Sequence, residues 1–194
     1  MATMTVQEHK ERTARSYKLI LWFAMISMIM MFAGLTSAYV ISASRPDWLN
    51  DFDLPAAFWA STGVMLLSSL TFHLAKKAIQ KDQRSLVTTL LLVTLGLGLL
   101  FVFLQYKGFY QLIEAGLYPT GPTSTVTSSF IFVVVLLHFV HLFGGLVSLL
   151  IIIYNHFKQK YNSGQTLGIE LGAMFWHFLD FLWLYLFLFL YFFN

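Results

Sequence analysis

Five long apolar stretches dominate this sequence of 194 residues and restrict the folds that it can adopt. A helix needs about 20 predominantly apolar residues to cross a bilayer, whereas a membrane β-strand needs only about 10. Hydrophobic residues make up 58% of the chain and charged residues 11%, against about 25% charged in a typical soluble domain. The sequence therefore predicts an all-α integral membrane bundle of five transmembrane helices. The predicted helices cover residues 19–43, 56–75, 86–106, 128–157 and 167–193.

The remaining polar residues are too few for a second domain. We expect residues 1–18 to form a cytoplasmic N-terminal tail and residues 19–194 a single transmembrane domain. Ten of the twelve Lys and Arg residues lie in this tail and around the second and fourth links, and only Arg45 and Lys107 lie on the other side. Basic residues concentrate on the cytoplasmic side of membrane proteins. The sequence therefore predicts a cytoplasmic N-terminus and a periplasmic C-terminus.

Two compositional features exclude classes of function. The chain has no cysteine, which excludes disulfides, thiolate catalysis and cysteine-ligated zinc or iron–sulfur sites. Its net charge is +3, but the basic residues cluster at the ends of the predicted helices rather than forming a separate patch. We therefore expect no nucleic-acid partner.

Ionisable residues inside the fourth and fifth predicted helices are the candidate functional residues. A charged side chain near the bilayer centre costs on the order of 3 kcal/mol, so such residues usually face a protein interior. His138 and His141 are three residues apart, as are His177 and Asp180, and each pair therefore shares one helix face. Glu170 precedes His177 by seven residues, and its desolvation would favour the protonated form. Because the two helices are antiparallel neighbours, we expect the two pairs to face each other or a shared cleft.

Residue types alone leave four interpretations of these side chains open. A di-metal site needs more carboxylates than the two that the helices carry. Two histidines on facing helices are suitable haem ligands. Buried Glu, Asp and His residues also form proton or ion pathways. The fourth interpretation, interhelical hydrogen bonding that holds the bundle together, is the commonest role of polar groups in membrane bundles and is favoured here.

Three further residues are predicted to serve helix packing. Trp176 and Trp183 are seven residues apart and far from either membrane boundary, which favours packing or a subunit contact over boundary anchoring. Gly145 is a site where two helices can approach closely.

Four sequence motifs resemble those of subunit III of haem–copper terminal oxidases, the cytochrome c oxidase subunit 3 family. The most specific is Glu170 followed by Trp176-His177-Phe178-Leu179-Asp180-Phe181-Leu182-Trp183-Leu184. The others are His138-Phe139-Val140-His141 with Gly145, Met31-Phe32-Ala33-Gly34 with Tyr39, and Leu104-Gln105. They occur in the family's order over about residues 19–193.

The resemblance implies a five-helix form of subunit III, in two helix groups around a cleft that holds phospholipid. It implies an accessory, non-redox chain of an oxygen-reducing, proton-translocating cytochrome c oxidase in a bacterial inner membrane. Haem and copper are then expected on partner subunits, subunit I is the direct partner, and subunit II belongs to the same complex. This chain would support subunit I stability and proton uptake.

On the same resemblance, we expect no catalytic, cofactor-binding or metal-binding residue on this chain. Glu170, His177, Asp180, His138 and His141 would be structural or cleft-lining. One alternative is subunit III of a quinol oxidase, and another is a stand-alone small transporter or haem-binding membrane protein. One position departs from the family pattern: Met28 stands where an acidic residue is common in the first core helix.

Overall fold

The computed structural model describes residues 6–46, 48–49, 54–122 and 124–193. Five helices account for most of these residues, and the described part contains no β-strand beyond an isolated bridge between Asn162 and Gln165. The helices are α1 Val6–Ser42, α2 Ala56–Gln80, α3 Arg84–Glu114, α4 Val126–Phe157 and α5 Leu167–Phe192. Each is long and apolar enough to cross a membrane. The predicted number and type of elements are confirmed.

Several helices extend beyond their predicted ends. α1 begins at Val6, so most of the predicted tail forms the first turns of this helix. α2 continues to Gln80 and α3 to Glu114, past the predicted ends at residues 75 and 106. The apolar pattern marks only the part of a helix that lipid surrounds. Lys, Glu, Arg and Gln are good helix formers and extend the same helix into the aqueous region.

Left-handed residues, which the apolar pattern does not reveal, end three of the helices. Gly116 follows α3 with a φ of 84°, and the N–H of Leu117 donates to the carbonyl of Leu112. Asp82 and Gln159 take the same conformation after α2 and α4, with φ values of 52° and 59°. This arrangement satisfies helix-end carbonyls and reverses the chain direction.

The helices α2, α3, α4 and α5 form a four-helix bundle, and α1 lies outside it. α2 packs along α3 most extensively, and the bundle closes through contacts of α2 with α5, α5 with α4, and α4 with α3. Within the described residues, α1 contacts the helices α4 and α5 but neither α2 nor α3. Its side chains are accordingly the most exposed of the five spans. The bundle core therefore lies among α2–α5, where the predicted candidate residues of α4 and α5 are located.

Gly108 permits the close packing of α2 on α3. A Cβ at this position would overlap the ring of Phe58, which is completely buried. Small residues at helix interfaces let backbones approach closely in membrane bundles. Gly145 plays the same part on α4, where a Cβ would lie 2.6 Å from Leu179 Cδ1, whereas the neighbouring Gly144 faces open space.

Candidate functional site

Hydrogen bonds between α2 and α5 join the polar groups of the two helices in the middle of the bundle. Trp176 Nε1 donates to Ser68 Oγ at 3.0 Å, and Trp183 Nε1 donates to Thr62 Oγ1 at 3.0 Å. Both tryptophans are 1% exposed. An unsatisfied N–H in an apolar interior costs several kcal/mol, so each indole requires an acceptor. We call this interface, together with the Ser69–His177 contact, the α2–α5 polar seam.

His177 and Asp180 lie in the seam and face α2. Ser69 Oγ lies 2.7 Å from His177 Nδ1, and Asp180 Oδ2 lies 3.9 Å from the same nitrogen. The Asp180 side chain is 5% exposed, and neither of its oxygens has a hydrogen-bond partner of good geometry. The His177 side chain is 34% exposed, and the ring of His73 lies 6.1 Å from it.

A second set of hydrogen bonds ties α3 to α2. Gln105 Nε2 donates to Ser61 Oγ at 3.0 Å, and Thr71 Oγ1 lies 2.8 Å from Thr94 Oγ1. These groups are buried or nearly so. The polar side chains of α2 therefore form hydrogen bonds with two neighbouring helices, α5 and α3.

The two histidines of α4 have separate surroundings. His138 is completely buried, with ring-centroid distances of 5.3 Å to Trp183 and 6.2 Å to Phe101, and neither of its nitrogens has a hydrogen-bond partner. His141 Nδ1 lies 2.7 Å from the carbonyl of Leu137, and its ring packs on Phe32 of α1. None of the contacts recorded among the described residues joins these histidines to His177 or Asp180. The two pairs therefore do not contact each other, and the shared cleft stays a prediction.

Glu170 lies at the end of α5 rather than deep within it. It belongs to the first turn of α5, accepts a hydrogen bond of 2.9 Å from Lys18 Nζ and another of 2.7 Å from Thr166 Oγ1, and its side chain is 24% exposed. Two donors, one of them cationic, stabilise the ionised carboxylate. The prediction that Glu170 is protonated is therefore wrong, because the polar N-terminal part of α1 reaches it.

A groove separates the N-terminal half of α1 from α4 and α5, and we call it the α1 groove. It consists of two adjoining cavities of about 830 and 670 Å³ that share Tyr161 and Gly168. The wider part is mainly apolar and includes Ile20, Leu21, Ala24, Val147 and Leu171. The other part is polar and includes Lys10, Lys18, Lys160 and Glu170. The groove therefore passes from an apolar part between the helices to a part lined by charged side chains.

The loop between α4 and α5 is attached to the turn between α2 and α3. Ser163 N–H donates to Asp82 Oδ1 at 2.9 Å. Hydrogen bonds from the Ser163 side chain and backbone lower the pKa of Asp82 from its ordinary value of 3.8. Burial raises the pKa of the loop residue Tyr161. Together with the Lys18–Glu170 pair, these contacts place the start of α1 and both loops at one end of the bundle.

The ionisable side chains of the described residues are dispersed over the bundle. Across the described ranges, no three His, Asp or Glu side chains converge in an arrangement that could hold a metal ion. The chemistry that the site offers is hydrogen bonding between helices, with the ionisable pair Asp180 and His177 at its centre.

The hydroxyl partners in the seam were only partly evident from the sequence. Ser68, Ser69 and Thr62 of α2 are small polar residues in an otherwise apolar span, a pattern that predicts interhelical contacts without identifying their partners. The available signal is a spacing of about two helical turns on both helices: Thr62 and Ser68 are six residues apart on α2, and their partners Trp183 and Trp176 are seven residues apart on α5.

The five helices define a multi-pass membrane protein. A family model described as cytochrome c oxidase subunit III matches residues 2–194. The chain is 32% identical to cytochrome bo(3) ubiquinol oxidase subunit 3 of Buchnera aphidicola subsp. Schizaphis graminum, over 93% of this chain and 96% of the relative. It is also similar to the protein of that name from Pseudomonas aeruginosa, at 26% identity over 86% of this chain and 79% of the relative.

A eukaryotic relative is named as a cytochrome c oxidase subunit rather than a ubiquinol oxidase subunit. Cytochrome c oxidase subunit 3 of Drosophila melanogaster is 27% identical over 89% of this chain and 64% of the relative. The chain belongs to the cytochrome c oxidase subunit III family.

Proposed function

We propose that this chain is the accessory, non-redox subunit III of a haem–copper terminal oxidase, bound directly to subunit I in a complex that also contains subunit II. The family match over residues 2–194 carries this proposal. The internal use of most polar groups for hydrogen bonds between helices supports it. Haem and copper then lie on the partner subunits, and this chain supports subunit I stability and proton uptake.

Purification through a tag on this chain, in mild detergent, tests the proposal. We expect haem- and copper-bearing chains to co-purify, recognised by a reduced-minus-oxidised spectrum and by peptide identification. His177→Ala and Asp180→Asn should leave the haem spectrum intact while weakening subunit retention or shortening the active lifetime of the oxidase. A monodisperse, active chain without partners would instead support a stand-alone transporter or haem-binding protein.

A quinol is the second candidate electron donor. The bo(3) ubiquinol oxidase subunit of Buchnera is matched over 96% of its length, whereas the Drosophila cytochrome c oxidase subunit is matched over 64%. This difference in matched length supports the quinol-oxidase form. Oxygen consumption by the purified complex with ubiquinol and with reduced cytochrome c separates the two donors.

We further propose that the α1 groove holds a phospholipid and is the cleft between two helix groups, α1 on one side and α2–α5 on the other. Apolar walls suit acyl chains, and Lys10 and Lys160 at the polar end suit a phosphate. Ala24→Trp should reduce the lipid that native mass spectrometry detects on the chain. Gly34→Trp, on the same helix but facing open space, is the matched control.

The N-terminus and the α2–α3 and α4–α5 links are proposed to face the cytoplasm of a bacterium, with the C-terminus in the periplasm. The excess of basic residues at this end supports that orientation. Because the chain has no cysteine, a single introduced thiol reports one position. An impermeant thiol reagent should label Lys160→Cys only in inverted membrane vesicles and Thr120→Cys only in right-side-out vesicles, and the reverse pattern would contradict the orientation.

A further inference from the structure

Asp180 occupies an unusual position for an ionisable group. Its side chain is 5% exposed and neither oxygen has a hydrogen-bond partner of good geometry. An ionised carboxylate without hydrogen bonds in an apolar interior costs far more than the neutral acid. The His177 imidazole at 3.9 Å is too distant for a hydrogen bond and is itself 34% exposed. The uncharged acid is therefore the form that suits this position.

His177 connects Asp180 with the surface of the bundle. Its Nδ1 lies 2.7 Å from Ser69 Oγ and 3.9 Å from Asp180 Oδ2. The ring of His73 lies 6.1 Å from that of His177, and His73 is exposed near the end of α2. Asp180, His177 and His73 thus lie in order from the interior towards the end of α2 that carries Lys76 and Lys77.

Other titratable groups on the helices packed against α5 are engaged elsewhere. On α2, Lys76 and Lys77 lie beside His73 rather than Asp180. On α4, His138 packs against Trp183 with the rings tilted, and His141 Nδ1 lies within hydrogen-bond distance of a backbone carbonyl. On α1, Lys18 pairs with Glu170 and Tyr39 packs among aromatic rings. His177 is therefore the titratable group recorded beside Asp180.

We propose that Asp180 is a protonated acid that exchanges its proton with the aqueous phase at the α2–α3 end of the bundle through His177 and His73. The step is a proton transfer without oxidation or reduction. A rotation of its side chain brings the Asp180 hydroxyl to His177 Nδ1 in place of the Ser69 hydroxyl, and Nδ1 accepts the proton in the tautomer protonated at Nε2. The Ser69 hydroxyl then donates to the carboxylate that is left. Nε2 then releases its proton towards His73 and water, and the reverse sequence reprotonates Asp180.

The inference concerns residues of this chain and holds whether or not the assembly is an oxidase. Infrared spectroscopy of the full-length chain, in the membrane complex from which it is purified, tests it without an activity readout. We expect Asp180→Asn to remove the carbonyl band of a protonated carboxylic acid. In the parent protein that band should shift after transfer to D₂O.

The exchange rate of this band tests the route. A positioned acid–base group speeds proton transfer by about a hundredfold or more, so His177→Phe should slow the shift in D₂O by about that factor. His73→Phe should also slow it, and because His73 is exposed, this variant keeps the test available if His177→Phe fails to assemble. His141→Phe replaces another partly buried histidine and should leave the rate unchanged.

Two results would overturn the proposal. Loss of a carboxylate band rather than an acid band in Asp180→Asn would show that Asp180 is ionised. An unchanged exchange rate in the assembled histidine variants would show that the proton takes another route. Failure of haem-bearing chains to co-purify would contradict the proposed function but would leave both of these measurements intact.

Discussion

The hydrogen bond between Trp183 and Thr62 should stabilise the bundle by a measurable amount. Trp183 Nε1 donates to Thr62 Oγ1 at 3.0 Å, and the two side chains are 1% and 9% exposed. Hydrogen bonds between membrane helices contribute about 0.6 kcal/mol on average and at most about 1.7 kcal/mol. Because both groups are shielded from water, we expect a coupling energy in the upper half of that range.

A double-mutant cycle of Trp183→Phe and Thr62→Val measures this coupling. Thr62→Val keeps the side-chain shape. It also removes the hydrogen bond from Thr62 to the Phe58 carbonyl, but this loss occurs with either residue at position 183 and therefore cancels in the coupling energy. Replacing a buried Trp by Ala typically destabilises a protein by about 3–5 kcal/mol. Trp183→Phe keeps an aromatic ring, so this single substitution should destabilise the bundle by less than that. Equilibrium unfolding in mixed micelles, followed by circular dichroism, gives the four free energies.

The control cycle pairs Thr62→Val with Trp22→Phe. Trp22 is 52% exposed on α1, which does not contact α2. Independent sites add to within about 0.3–0.5 kcal/mol, so this cycle should show no coupling beyond that margin. If the Trp183–Thr62 cycle also falls within that margin, the polar seam does not hold α2 to α5 by hydrogen bonding and the reasoning is refuted.

Three further perturbations test other parts of the fold. Gly108→Ala should destabilise the bundle by about 1–3 kcal/mol, because the added methyl group overlaps the ring of Phe58. Gly96 faces open space, so Gly96→Ala should stabilise its helix by up to about 1 kcal/mol in the same unfolding assay. Asp82→Asn should increase amide hydrogen exchange at Ser163 at neutral pH. The pKa of Asp82 is lowered in the folded state, so the ionised side chain keeps its contact with Ser163 at every pH above the ordinary value of 3.8. The wild-type protein should therefore show the faster exchange of the variant only when the pH falls through the lowered pKa. Lys18→Gln should increase amide hydrogen exchange in the first turns of α1. It should lower the free energy of unfolding by less than about 1 kcal/mol, because the ion pair with Glu170 is partly exposed. Unchanged exchange in these turns would contradict a role of Lys18 in attaching α1.

The five spans were predictable because the free energy of placing a residue in lipid depends mainly on that residue and adds along the chain. The helix ends were not, since polar helix formers extend α1, α2 and α3 into the aqueous region. The C-terminal end of α3 depends on the left-handed Gly116, which an apolar pattern does not detect.

The sequence predicted which residues belong to the candidate site, but it did not predict which side chains they contact. Spacing placed His177 with Asp180 on one face of α5, and the two do lie 3.9 Å apart. Spacing could not tell which neighbouring helix that face meets, and the structure shows α2 rather than α4. Glu170 was expected to be neutral in an apolar stretch, but Lys18 lies 152 residues earlier in the chain and no local pattern links the two.

Hydropathy and residue spacing alone identify a five-helix membrane protein with ionisable groups on particular faces of α4 and α5. The packing of the helices brings the indoles of Trp176 and Trp183 to hydroxyls of α2, pairs Lys18 with Glu170, and buries Asp180 beside His177. The physical reason is that lipid solubility and helical periodicity are local properties of the chain. The partner of a polar group depends instead on the order and rotation of packed helices, which side-chain fit at sites such as Gly108 and Gly145 sets across the whole bundle.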